Sequence, residues 1–202
     1  MVAAHQSELR SLEKSNRKGC HMNRVFMVAI VALVLAGCET PTTQRYAISP
    51  NNNQAIRALN TTGIAVAAFT SPKSFDASCR AFGPIQVADG LTHVEYIRRA
   101  FEDELKVAGA FAATSPRVTL SGSVNRLEFS STRGLTGGSW TIELTLASSN
   151  GKIMEVKEDY DFQSGFAANE ACRNTADAFS RAVQDLVGKA VSNPEFPGLI
   201  GS

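Results

Sequence analysis

The feature that most limits what this chain can become is the run from Trp140 to Phe162. Trp140, Ile142, Leu144 and Leu146 alternate with Thr141, Glu143 and Thr145. A period of two turns one set toward a core and the other toward water, the pattern of a half-buried strand. Asn150-Gly151 follows, a pair that tolerates positive φ and predicts a two-residue hairpin. Met154, Val156, Tyr160 and Phe162 continue the alternation on the far side. Upstream, Val118, Leu120, Gly122 and Val124 share one phase. The switch to Leu127 and Phe129 predicts a bulge near Asn125-Arg126. Ser130 to Gly138 reads as a glycine-rich connection.

Two helical periods flank these strands. Thr92 and Glu95 form a capping box, Val94, Ile97, Phe101 and Leu105 make an apolar stripe, and Gly109 ends it. Cys172, Ala176, Phe179, Val183, Leu186 and Ala190 make a second stripe within Ala168 to Val191. Ile64 to Phe69 is almost continuously apolar and reads as a buried central strand. Between it and the first helix, Ser71 to Gly90 has no period and reads as a long loop pinned by Cys79. The order is β-α-β-β-β-α. It predicts an α+β two-layer sandwich, with two helices on one face of a four-stranded, mostly antiparallel sheet and a polar opposite face.

Charge and motifs exclude several functions. Lys+Arg 20 against Asp+Glu 19 leaves +1, so no basic surplus points to nucleic acid. The chain carries no Walker loop, G-x-S-x-G elbow, H-E-x-x-H pair or C-x-x-C. The acidic group Glu155, Glu158, Asp159 and Asp161 lacks calcium-loop spacing and reads as a solvated strand face. His93 reads as a surface residue of the first helical turn, and Trp140 as core packing. We expect no catalytic residue, no cofactor and no metal; the chain does not read as an enzyme.

The first forty residues constrain location. Arg24 precedes an unbroken apolar run, Val25 to Leu35, of eleven residues. As a helix it covers about 17 Å of a roughly 30 Å hydrocarbon core, too little to span, and it reads as a secretory signal. Leu35-Ala36-Gly37-Cys38 resembles the bacterial lipobox. The resemblance implies diacylglycerol on the Cys38 thiol, cleavage before Cys38 and acylation of the new terminus, palmitate among the chains. A buried apolar helix that happens to hold a cysteine is the alternative. Met1 to His21 is polar, and translation is expected from Met22. Glu39 after the lipidated cysteine favours the outer membrane, facing the periplasm, with the inner membrane as the alternative.

The expected organisation is an extension and signal over 1–37, a lipidated cysteine and flexible tether over 38–60, and one α+β domain over 61–202. From Cys38 onward the chain has 15 basic and 17 acidic residues. Acyl chains, not electrostatic attraction, therefore hold it to a membrane. Glu39 to Asn60 has no sustained apolar period, and as a coil it would reach roughly 25 Å.

Export also assigns the cysteines. Cys20 is lost and Cys38 acylated, which leaves Cys79 and Cys172 as a disulfide pair in an oxidising compartment; two buried free thiols are the alternative. The lipobox, the capped helix, the meander with Asn150-Gly151 and the final Ala-rich helix together resemble small envelope lipoproteins of the YajG type. The stretch through Phe166, Asn174, Ala176 and Val183 is the part most similar. That resemblance implies no catalytic residues. The layout also resembles the anchored α+β domain of auxiliary lipoproteins of ABC-type lipid transport systems. The expected function is non-catalytic binding or assembly with an envelope protein partner, through an exposed sheet edge or the Ser130 to Gly138 loop. Auxiliary lipid transport is the alternative.

Overall fold

Each predicted strand and helix is present in the structure, a computed structural model that describes residues 40–201. The expected signal run, the lipobox-like stretch and Cys38, the expected acyl acceptor, lie outside the described residues. Strands β1 (Ile64–Thr70), β2 (Val118–Arg133), β3 (Gly137–Ser148) and β4 (Ile153–Gln163) form one sheet in the order β1-β2-β3-β4. β1 runs parallel to β2, and the other two pairings are antiparallel. Helix α1 (Pro50–Ala58) precedes β1, α2 (His93–Ala108) crosses from β1 to β2, and α3 (Ala168–Val191) follows β4, with a short α4 (Phe196–Ile200) at the end. The architecture is α+β, with the helices packed against the sheet.

The alternation does what it predicts. Trp140, Ile142, Leu144 and Leu146 are buried against the helices, while Glu155, Lys157 and Asp159 stand in solvent on the other face. The register of β2 on β3 shifts between Val124 and Arg126, the expected bulge. Asn125, the extra residue, donates its side-chain amide to Thr145 Oγ1 at 2.7 Å. Thr92 Oγ1 accepts from the Glu95 N–H at 3.1 Å, and Gly109 closes α2 at φ 77°. All six residues of the α3 stripe are buried.

Four expectations change. β1 is an edge strand, not a central one. Its register slips between Val66 and Phe69, so Ile64 and Phe69 are buried while three small alanines leave the rest half-open. The β3–β4 turn gives positive φ to Gly151 alone (85°), and the Ser148 N–H donates to Lys152 O. That is a three-residue hairpin with a left-handed glycine. The strands continue through most of Ser130 to Gly138, leaving only residues 134–136 as connection. Finally, the stretch read as a flexible tether is folded onto the domain from Pro41 onward.

That last change has a clear cause. Ser49 and Pro50 start α1 well, since the serine oxygen accepts from the Asn52 N–H and proline needs no donor at the first turn. Ile56 then plugs into the core and Asn52 is buried, its amide donating to Gln184 O at 3.0 Å. α1 thus sits across α2 and α3. A nine-residue helix that would be marginal alone is stabilised by this docking. Ahead of it, Thr43 N–H donates to Gln86 O and Gln86 N–H to Pro41 O, both at 2.8 Å.

Candidate functional site

β2 is 16 residues long and β1 only seven. Their pairing ends at Thr70↔Ser123. Beyond that point no described strand lies beside the outer edge of β2, which is open between Val124, whose carbonyl meets Ser71, and Ser131, whose carbonyl accepts from Arg80. The chain leaving β1 runs along this edge, held by Ser71, whose hydroxyl lies 3.1 Å from Val124 O. Between the two lies a groove of about 370 Å³, with Lys73, Phe75 and Asp76 on one wall and Arg126, Glu128 and Phe129 on the other.

Its floor is aromatic. Phe75 and Phe129 meet edge to face at 6.1 Å, and Trp140 lies below both, 4.9 Å from Phe129 and 6.0 Å from Phe75 between ring centroids. Trp140 is fully buried and donates its indole N–H to Thr175 O at 2.9 Å, so it is core packing as expected. His93 departs from expectation. It is half-buried between Phe75 (4.6 Å) and Phe179 (5.1 Å), not a surface residue. Burial pushes its imidazole down to about 4, which leaves it neutral at neutral pH.

The rim of the groove is charged. Arg126 pairs with Glu128 at 2.8 Å and holds that carboxyl below the usual range. Asp76 is lowered in the same direction by accepting from the Ser78 N–H at 2.9 Å. An unpaired strand edge over an apolar floor and under a mixed-charge rim suits an extended peptide.

The disulfide buttresses this region. Cys79 and Cys172 are joined, with Cα atoms 5.8 Å apart and both residues buried beside Ile85 and Ala176. It ties the segment after β1 to the first turns of α3. The acidic group divides. Asp159 pairs with Lys157 at 3.0 Å, and Asp161 pairs with Arg133 across the outer face. Glu158, however, faces inward with Met154 and Val156, and meets Lys189 of α3 at 3.0 Å. Burial raises its carboxyl. Among the described residues, no three acidic, histidine or cysteine groups converge on a metal position.

Sequence reasoning missed two buried carboxylates, Glu104 and Glu158. Both carried a readable signal. Each is a charge in phase with an apolar stripe, Glu104 one helical turn after Phe101 and Glu158 two residues after Val156.

No family model matches the chain, and no curated protein sequence matches it. Solved structures do. A Xanthomonas campestris protein of family DUF330 superposes with a TM-score of 0.50 at 19% identity, covering 79% of this chain and 96% of its own. A candidate lipoprotein from Caulobacter crescentus gives a TM-score of 0.43 at 13% identity, covering 74% of this chain and 98% of its own. The first likeness is one of fold.

Proposed function

We propose that this chain is an acyl-anchored envelope lipoprotein whose periplasm-facing domain binds or assembles with a protein partner without catalysing a reaction. The observation that carries the reading is the β2 edge past Ser123 that lies between the Ser71 contact on Val124 O and the Arg80 bond to Ser131 O, backed by Phe75, Phe129 and Trp140. A partner strand placed there finds backbone donors and acceptors already aligned, and its specificity comes from side chains meeting the rim. Anchoring at Cys38 follows from the lipobox resemblance. Among the described residues no helix is long and apolar enough to cross a membrane. Glu39 favours the outer membrane.

A photocrosslinking residue at Glu128, in the full chain within intact envelopes, tests the groove. One discrete adduct, lost when Ser71→Trp fills the channel, supports the reading. Adducts only to abundant bulk proteins sink it. Anchoring is tested separately, since palmitate labelling must vanish in Cys38→Ser. A second reading, auxiliary service to an ABC-type lipid transporter, is favoured by the α+β layout itself, which resembles the domain of such lipoproteins. Copurification of a permease with the full chain would distinguish it.

A further inference from the structure

Three apolar side chains stand in solvent at one end of the sheet: Leu135 at the β2–β3 tip (85% exposed), Phe166 after β4 (81%) and Phe82 (38%). Backbone contacts tie their carriers together. Thr136 O, next to Leu135, accepts from the N–H groups of Ser164 and Gly165 at 2.7 and 3.0 Å, and Gly165 precedes Phe166. Arg80, two residues before Phe82, donates to Phe166 O at 2.9 Å and to Ser131. Among the described residues, the other two large exposed apolar side chains, Val107 and Ile153, lie singly at the far end, over opposite edges of the sheet.

The chain enters the domain at this same end. Thr42 pairs in parallel with Gln86. Following the chain back from Thr43 to Pro41 therefore leads toward Ile85 and Pro84, where Pro84 bridges Ser78 in the turn that carries Arg80 and Phe82. Pro41 is buried, so the entry point is fixed. Cys38 is two residues before Thr40, a span of at most about 7 Å.

We propose that this end of the domain seats on the lipid bilayer, with Leu135, Phe166 and Phe82 entering the boundary between headgroups and acyl chains beside the anchor. The proposal rests on acylation of Cys38 for its direction of approach. Apolar side chains at an interface bury to about 5–10 Å, within reach of a loop tip. Arg133, exposed beside its partner Asp161, stands just behind Leu135, where a lipid phosphate would meet a guanidinium group. The strap over residues 41–58, docked on the helices, then leaves the domain no long slack line from its anchor.

The test uses the purified full chain on vesicles of phosphatidylethanolamine and phosphatidylglycerol with brominated acyl chains. The only native tryptophan, Trp140, is buried, so an added one reports its own site. In Leu135→Trp and Phe166→Trp, emission should shift to shorter wavelength and fall about two-fold by bromine quenching; Ile153→Trp should stay accessible to aqueous acrylamide. Tip tryptophans as accessible as Ile153→Trp, on a chain whose Cys38 carries acyl mass, overturn the seating and leave anchoring intact. Quenching at the tip with Cys38 unmodified supports the seating and removes the acylation reading. Shielding in native envelopes but not on lipid alone overturns the proposal in favour of a protein covering the tip.

Discussion

Tyr46 donates its hydroxyl to the fully buried carboxylate of Glu104 at 2.8 Å, joining positions 58 residues apart. The same oxygen accepts from the Ser49 N–H at 2.8 Å, and the Asn52 amide lies 3.5 Å away. Burial and the neighbouring Glu104 charge raise the tyrosine pKa, so it remains a donor. Tyr96 adds a bond from its hydroxyl to Gln44 O at 2.9 Å. One carboxylate on α2 therefore gathers Tyr46, Ser49 and Asn52 of the entry segment.

Glu104→Ala should leave those donors unpaired and cost about 2 kcal/mol. Amide exchange over residues 46–58 should rise while β3 stays protected. Unchanged protection in that segment would show that Ile56 packing alone holds it.

His93 gives the fold a pH dependence. Its imidazole is lowered to about 4 when folded and returns to near 6.5 when unfolded, so the unfolded chain takes up the proton first as pH falls. The stabilising contribution is complete above pH 6.5 and declines between 6.5 and 4. It amounts to about 3 kcal/mol over that window. Urea midpoints of His93→Phe should decline less than those of the parent across the same range; parallel curves would refute this.

The 93-residue separation of Cys79 and Cys172 makes their link a large constraint on the unfolded chain. Replacing both with alanine should lower stability by about 4–5 kcal/mol in the loop-entropy model. Reductant should do the same to the parent and nothing to the double variant. Thermal melts of both proteins, with and without reductant, measure it.

Gly122 lies beneath the Phe69 ring, and a Cβ there would sit 2.7 Å from ring atoms. Gly122→Ala should cost about 1–3 kcal/mol through overpacking. Adding Phe69→Leu should recover part of that loss; strictly additive effects in chemical denaturation would argue against the contact.

The sequence alone determined the local periods: the β3 and β4 faces, the Asn125 bulge, the Thr92 cap and the α3 stripe. Each is written in consecutive side chains, because a strand or helix must turn its apolar positions the same way. It also paired the cysteines, by elimination. Tertiary structure decided what depends on partners distant in sequence. The place of β1 at an edge follows from pairing with β2, and the docking of α1 from a carboxylate 52 residues beyond Asn52. The burial of His93 and Glu158 depends on which rings and cations fold over them. Polar residues such as Pro50 to Gln54 look like linker in isolation. Only a docked surface that satisfies their hydrogen bonds and takes in Ile56 makes them part of the fold.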